Sequence, residues 1–158
     1  EHIAFDHHPT RARTLGWIEN RMGFPARSIP LLKYAAKETE DSELREEATF
    51  ALFESYLDTG NWKQAEAVFP VAARRLTPRE APRWYAKIAT SAAKSGAKTD
   101  AMRVWSRVAN LDLTATAEIE ELADTGLRSE LIAFYRKQAR KLPGSDIPPR
   151  ILKTLQHP

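Results

Sequence analysis

Apolar residues recur along the chain at the three- and four-residue spacing of amphipathic helices, and isolated glycines interrupt the pattern. The stretches YLDTGNWKQAEAVF (56–69) and SGAKTDAMRVW (95–105) each predict a helix that stops at a glycine and a second helix that follows. Gly60 and Gly96 lie 36 residues apart, and the same shift aligns other positions. These are Leu52 with Ile88, Ala65 with Ala101, Phe69 with Trp105 and Ala72 with Val108. The pattern therefore predicts a repeated pair of antiparallel helices.

The turn residues support this interpretation. Glycine adopts the positive φ that is needed just past a helix end, so Gly60 and Gly96 should each terminate a helix. Asn61 is then expected to be an N-cap, with Gln64 completing a capping box. In LTPREAPRW (76–84), Thr77 followed by Pro78 predicts the start of another helix.

The same frame extends over most of the sequence. Gly126 predicts a later turn, with Leu131 and Tyr135 at the small and large positions of the helix that follows. Towards the N-terminus the corresponding residues are Leu15, Gly16, Gly23, Leu32 and Ala35. We therefore expect a single all-α domain with units at about 9–41, 46–79, 82–111 and 112–143, and a short C-terminal capping helix at 147–156.

The central unit, about 46–79, resembles the tetratricopeptide repeat (TPR). The resemblance rests on seven residues: Leu52, Tyr56, Gly60, Trp62, Ala65, Phe69 and Ala72. It implies an α-solenoid of about four antiparallel helix-turn-helix repeats, in which the first helix of each unit lines a concave groove. It also implies a non-enzymatic scaffold that binds a peptide or a partner helix in that groove.

Two features depart from the family pattern. Pro30 and Pro70 fall inside predicted second helices, where proline removes a backbone hydrogen bond, so these helices should bend. Gly96 and Gly126 are only 30 residues apart, so the hairpins should not stack with uniform geometry.

The resemblance assigns the groove residues. They are Arg13, Trp17, Asn20 and Arg21 in the first unit, Glu47, Phe50, Glu54 and Asp58 in the second, Arg83, Lys87, Thr90 and Lys94 in the third, and Glu120 and Asp124 in the fourth. The charge of these sets alternates between basic and acidic. One interpretation is that neighbouring units simply pair with each other, for example Arg83 or Lys87 with Glu47 or Glu54, at about 0.2–1 kcal/mol per exposed pair. The other is a groove that selects a partner by charge, with Trp17 and Phe50 as apolar anchors.

Some members of this family clamp the C-terminal carboxylate of chaperones with five groove residues. Arg13, Arg83 and Lys87 stand at basic positions of that clamp. Trp17 and Ala51 replace its two asparagines, and nearby carboxylates would repel an acidic tail. The resemblance therefore favours a different ligand.

Composition limits the alternatives. The 158 residues are 42% hydrophobic and 28% charged, as in an ordinary globular protein, and no apolar run approaches the roughly 20 residues of a membrane span. We therefore expect a soluble chain, and because residue 1 is Glu1 we expect a piece of a larger protein. Without cysteine there is no disulfide or thiolate chemistry. The compartment stays open between cytoplasm, slightly favoured, and periplasm, and so does the oligomeric state.

Residues suited to catalysis or metal binding are sparse. His2, Asp6, His7 and His8 are metal-ligand types, but a cluster at a chain end is more often solvated. Elsewhere the only histidine is His157, so a serine or threonine nucleophile has no obvious base. Carboxylate pairs four residues apart, at 54/58 and 120/124, are more often solvated than catalytic. We expect no enzyme, no cofactor and no metal.

A nucleic-acid-binding module is the alternative from another class. The stretch ARRLTPREAPRWYAK (73–87) contains Arg74, Arg75, Arg79, Arg83 and Lys87 with Trp84 and Tyr85 nearby. Such residues could grip phosphates and stack bases. The net charge of the whole chain, +3, is low for that role, and the aromatic pair is more often packing.

Overall fold

The structure is a computed structural model that describes residues 8–111 and 116–157, with side chains at all of these except 110, 111, 116 and 117. Within these ranges all regular structure is helical and there is no strand, which confirms the all-α prediction. The helices are α1 (Pro9–Arg21), α2 (Pro25–Glu38), α3 (Ser42–Asp58), α4 (Trp62–Ala72), α5 (Ala81–Lys94), α6 (Lys98–Leu111), α7 (Thr116–Leu122), α8 (Arg128–Lys141) and α9 (Ile147–Gln156).

The chain divides after Thr77 into two compact units. Unit 1 contains α1 to α4 and unit 2 contains α5 to α9. In unit 1 each helix packs against the next one in sequence, and in unit 2 α5 packs against α6 and α8 packs against α9. In addition, α1 contacts α3 and α5 contacts α7, so the first helices of successive hairpins also meet within each unit.

Small residues hold the helices of unit 1 close together. Ala12, Ala35 and Ala48 form a fully buried cluster between α1, α2 and α3. Gly16 is also buried, and a methyl group added there would lie 2.7 Å from Cγ of Leu32. The close approach of α1 to α2 therefore requires glycine at this position.

Three hairpins have the same turn between their helices: both hairpins of unit 1 and the first hairpin of unit 2. Gly60 has φ +74°, its amide donates to the carbonyl of Leu57, and the next amide donates to the carbonyl of Tyr56. Gly23 and Gly96 have the same positive φ and the same pair of hydrogen bonds. This is the Schellman motif, so the predicted glycine turns are confirmed in detail.

The predicted helix starts are less accurate. Asn61 stands at the N-cap of α4, but its side chain donates to Thr59 Oγ1 and makes no capping bond, so the predicted capping box is wrong. Helix α5 begins at Ala81, with Glu80 as N-cap and Pro82 in the first turn, rather than directly after Thr77. Asp41 caps α3, because its carboxylate accepts from the amide of Leu44 at 3.0 Å.

Residues at the repeated apolar positions are buried. In unit 1, Ala65 and Ala72 have no exposed surface, and Phe69 is half-buried with its ring 5.3 Å from that of Phe53. In unit 2, Ala101 and Trp105 are buried to 1% exposure or less. The periodic pattern in the sequence thus identifies the helix faces that form the core.

The core of unit 2 contains a buried polar contact. Indole Nε1 of Trp105 donates to the hydroxyl of Tyr135 at 3.1 Å, which joins α6 to α8. Leu131, one turn before Tyr135 on α8, is fully buried.

Around Gly126, at φ +88°, the chain turns from α7 into α8, as predicted.

Two prolines lie inside helices, as expected. Pro30 is in the middle of α2 and Pro70 is near the end of α4, which continues through Ala72 and then tightens into a single turn at Ala73–Arg75. The expected bending of α2 and α4 stays a prediction.

The segment predicted as the C-terminal cap is also helical. It forms α9, whose buried residues include Ile151 and Leu155.

Candidate functional site

Between α1 and α3 of unit 1 lies an open pocket of about 240 Å³. Helix α1 contributes Arg13, Thr14 and Trp17, and helix α3 contributes Glu47 and Ala51. The spacing of 13 and 17 on α1, and of 47 and 51 on α3, is one helical turn, so each helix presents one line of side chains to the pocket. Three predicted groove residues, Arg13, Trp17 and Glu47, are therefore brought together.

An ion-pair network crosses the pocket. The guanidinium of Arg13 pairs with one carboxylate oxygen of Glu47, and the guanidinium of Arg75 lies 3.4 Å from the other. The side chains of Arg13 and Glu47 are 25% and 35% exposed, so both are partly desolvated. Two cations therefore share one carboxylate, although Arg75 is not one of the residues that line the pocket.

Trp17 provides an exposed apolar surface among the residues that line the pocket. It is 50% exposed, and the guanidinium carbon of Arg21 lies 5.3 Å from its ring centroid. An exposed tryptophan with a cation against its face is well suited to pack against an apolar or acidic side chain of a ligand.

The other predicted groove residues of unit 1 have different environments. Phe50 is half-buried, and its ring lies 6.1 Å from that of Phe53, so it faces the core rather than acting as a free anchor. Asn20 and Glu54 are half-buried and Asp58 is exposed.

In unit 2 the predicted groove residues of α5 contact α7. Arg83 pairs with Glu118 at 3.7 Å, and Lys94 pairs with Glu121 at 3.3 Å. The acidic partners on α7 are thus Glu118 and Glu121; of the groove residues predicted for the fourth unit, Glu120 is exposed and Asp124 pairs with Arg128 at 3.2 Å. Thr90 is 5% exposed, so the expectation that it lines an open surface is wrong: its position on α5 faces the core.

The basic stretch proposed for nucleic acid is largely engaged within each unit. Arg74 lies 3.5 Å from Glu46, and Arg75 and Arg83 pair with carboxylates as described above. The ammonium of Lys87 lies 3.9 Å from the ring centroid of Trp84. Tyr85 is buried, and its hydroxyl accepts from Arg107 Nη1 at 3.0 Å. Tyr85 is therefore a packing residue rather than a surface for base stacking.

Candidate metal ligands do not assemble in the part of the chain that the structure describes. No group of three or more histidine, aspartate or glutamate side chains there could hold a metal ion. His8 is exposed at the N-cap of α1; His2, Asp6 and His7 lie outside the described residues. Among the described helices none is long and apolar enough to cross a bilayer.

The chain matches no known protein-family model, no curated protein and no solved structure.

Sequence reasoning missed one feature of α1. Ile18 and Met22 are 40% and 66% exposed, although both are large and apolar. They lie four residues apart, on a different face of the helix from Trp17. The signal was present in the sequence, since Leu15, Ile18 and Met22 form a second apolar line that the groove assignment does not use.

Proposed function

We propose that this chain is a non-enzymatic protein-interaction module, built as a TPR-like helical repeat, and that unit 1 binds a peptide segment of a partner in the pocket between α1 and α3. The observation that carries the proposal is the half-exposed Trp17 beside the Arg13–Glu47 pair. The recurrence of one glycine turn in three hairpins supports the repeat architecture.

The dimensions of the pocket favour a peptide over a cofactor. Small-molecule sites usually enclose about 300–1,000 Å³ and bury most of the ligand. The pocket here, about 240 Å³ and open to solvent, accommodates one or two side chains of a longer ligand. Peptide recognition commonly uses such side-chain pockets along a surface.

Charge indicates which peptide. Arg13 lines the pocket together with Glu47, Arg75 brings a second guanidinium to Glu47, and Arg21 lies against the ring of Trp17. An acidic residue next to an apolar one would therefore pair with a guanidinium while its neighbour packs on Trp17. The preferred ligand is a peptide that carries such an acidic–apolar pair.

The test is a selection from a random peptide library on the wild-type protein, on Trp17→Ala and on a matched control, Met22→Ala. Met22 is more exposed than Trp17 but lies outside the pocket, so its variant should retain the selected peptides. Trp17→Ala should bind them about tenfold more weakly or worse, as expected for an anchor residue. If the selected peptides bind both variants with the same affinity as the wild type, they bind at a site other than this pocket.

Nucleic-acid binding is the weaker candidate, because carboxylates engage Arg74, Arg75 and Arg83. Its signature would be tight binding to random oligonucleotides at low salt that collapses as salt rises. Fluorescence anisotropy at about 50 and 200 mM salt distinguishes the two functions, and the protein-interaction proposal expects weak binding at both concentrations.

A further inference from the structure

Exposed apolar side chains are concentrated at one end of the first hairpin. Among the described residues five large apolar side chains are exposed, and four of them, Trp17, Ile18, Met22 and Phe24, lie between residues 17 and 24. Met22 and Phe24 stand on either side of Gly23 in the turn between α1 and α2, and they are 66% and 45% exposed. Ile18 precedes Met22 by one helical turn. We call Ile18, Met22 and Phe24 the apolar tip.

The backbone of the turn does not require these side chains. The turns at Gly60 and Gly96 have the same positive φ and the same pair of hydrogen bonds as the turn at Gly23. At the three tip positions those turns have smaller or polar residues, namely Ser55, Thr59 and Asn61 in one and Ser91, Ser95 and Ala97 in the other. The apolar tip therefore has a cause other than the formation of the turn.

The tip is convex. A Cβ added to Gly23 would have no heavy atom within 4 Å apart from its neighbours in the chain, so the turn projects from unit 1 instead of forming the wall of a groove. Exposed apolar patches mark surfaces that bind proteins or membranes. A projecting tip cannot enclose a peptide, whereas a fluid lipid surface closes around apolar side chains that enter it.

The charges around the tip are basic. Residues 20–37 include four basic residues and no acidic one. The acidic residue just before this stretch, Glu19, is buried and pairs with Arg27 at 2.8 Å, so it adds little negative charge to the surface. The guanidinium carbon of Arg27 lies 5.1 Å from the ring centroid of Phe24, and Arg21 precedes Met22 in the sequence. Cationic groups therefore border the apolar side chains.

We propose that the apolar tip of unit 1 binds the surface of an anionic lipid membrane. Met22 and Phe24 enter the boundary between head groups and acyl chains, and Ile18 follows them. Arg21 and Arg27 stay at the level of the lipid phosphates, which suits arginine because its stem is apolar and its guanidinium is charged. The contact is peripheral and requires no membrane-spanning helix.

Charge argues against a second copy of this chain as the occupant. Two tips packed against each other would bring Arg21 and Arg27 of both copies to one apolar surface, whereas an anionic lipid surface complements them. None of the three tip residues lines the peptide pocket between α1 and α3. The membrane proposal therefore does not rest on the proposed peptide binding.

The first test is co-sedimentation with vesicles of phosphatidylcholine and phosphatidylserine in a roughly 3:1 ratio, compared with vesicles of phosphatidylcholine alone. At low salt the wild type should bind the mixed vesicles about tenfold more tightly than the neutral ones, because Arg21 and Arg27 meet anionic head groups. The double variant Met22→Thr/Phe24→Asn should bind the mixed vesicles about tenfold more weakly or worse, since two apolar side chains that enter the lipid are removed.

The double variant has built-in controls. Its substitutions introduce the residues that the Gly60 turn has at these positions, so the fold should be kept, and thermal unfolding verifies this. The matched control is Leu142→Thr, which removes a side chain that is 42% exposed at the end of α8 and should bind vesicles like the wild type. Peptides selected on the wild type should bind the double variant with unchanged affinity, which separates a failure of this proposal from a failure of the peptide pocket.

A second test locates the contact. The protein has no cysteine, so a single introduced cysteine can carry an environment-sensitive fluorophore. The emission of a label at Met22→Cys should shift to shorter wavelength when the mixed vesicles are added. The same label at Thr59→Cys, the corresponding position of the second turn, should not respond.

Several outcomes would overturn the proposal. They are no binding of the wild type to the mixed vesicles at low salt, equal binding of the wild type and the folded double variant, and equal responses of the labels at positions 22 and 59. Self-association of the wild type without vesicles, absent from the double variant, would also overturn it, because a second copy would then cover the tip.

Discussion

Ser28 and Ser55 face each other across the buried interface of α2 and α3, with their hydroxyl oxygens 2.6 Å apart. Each hydroxyl also lies within hydrogen-bond distance of a carbonyl on its own helix, that of Pro25 for Ser28 and that of Ala51 for Ser55. Two hydroxyl protons therefore serve three contacts, and no buried side-chain polar atom in the described residues is left unsatisfied.

From this arrangement we expect each single substitution to remove one hydrogen bond. In Ser28→Ala the remaining hydroxyl of Ser55 can still donate to the carbonyl of Ala51, so the loss should be about 1 kcal/mol. The same holds for Ser55→Ala, in which Ser28 can still donate to the carbonyl of Pro25. The double variant has neither hydroxyl proton, so its loss should be close to the sum of the two, about 2 kcal/mol. Urea unfolding of all four proteins measures this, and a single variant that loses as much as the double variant would show that its remaining hydroxyl has no hydrogen-bond partner.

A buried alanine tests the packing of α3 on α4. Ala65 has no exposed surface, so Ala65→Glu buries a carboxylate and should cost about 3 kcal/mol or more. Ala67, two residues on, is exposed on the same helix, so Ala67→Glu is the matched control and should change stability by less than about 0.5 kcal/mol. Thermal unfolding compares the two, and equal melting temperatures would show that the assigned core face of α4 is wrong.

The turn glycines provide a backbone test. Gly60 is at φ +74° with open space around its Cα, so Gly60→Ala should lose about 1–2 kcal/mol from the left-handed conformation alone, without any clash. Gly144 is equally uncrowded and does not have a positive φ, so Gly144→Ala should be close to neutral. Chemical denaturation of both variants separates backbone strain from crowding; a neutral Gly60→Ala would be incompatible with the Schellman turn.

The sequence predicts some parts of this fold well because their causes are local. A positive φ just past a helix end needs glycine, so the turn at Gly60 can be predicted from a few neighbouring residues. Helix starts depend on competing partners instead: Asn61 bonds to Thr59 rather than capping α4, and α5 begins after Glu80 rather than at the preceding Thr77. Local patterns do not resolve such competition.

The candidate site was predictable only in part, for a similar reason. Helical spacing places Trp17 and Arg13 on one face of α1, and in the structure both line the same pocket. Which side chains stay exposed depends on what packs against each helix, so Thr90 is buried against expectation and Ile18, which the sequence analysis did not consider, is exposed. Because carboxylate partners depend on how α5 lies against α7, spacing alone does not select Glu118 for Arg83.

Tyr135 should make the protein sensitive to alkali. Burial raises the pKa of its phenol from 10.0 to about 12, and the hydrogen bond from Trp105 lowers it only partly. Burial also raises the pKa of Tyr56. As the pH rises, the phenol loses its proton at a lower pH in the unfolded chain than in the folded protein. Its contribution to the free energy of unfolding is therefore fully present below about pH 10 and is lost as the pH rises towards 12. For Tyr135 this loss is about 3 kcal/mol at most.

The variant Tyr135→Phe separates this effect from general alkaline denaturation. It leaves the buried indole N–H of Trp105 without its acceptor, so it should cost about 1–3 kcal/mol at neutral pH. Between pH 10 and 12, however, its free energy of unfolding should fall less steeply than that of the wild type, since the shifted phenol is gone. Urea unfolding at several pH values measures both slopes. Equal slopes would mean that Tyr135 ionises as readily in the folded protein as in the unfolded chain, and its burial between α6 and α8 would then be wrong.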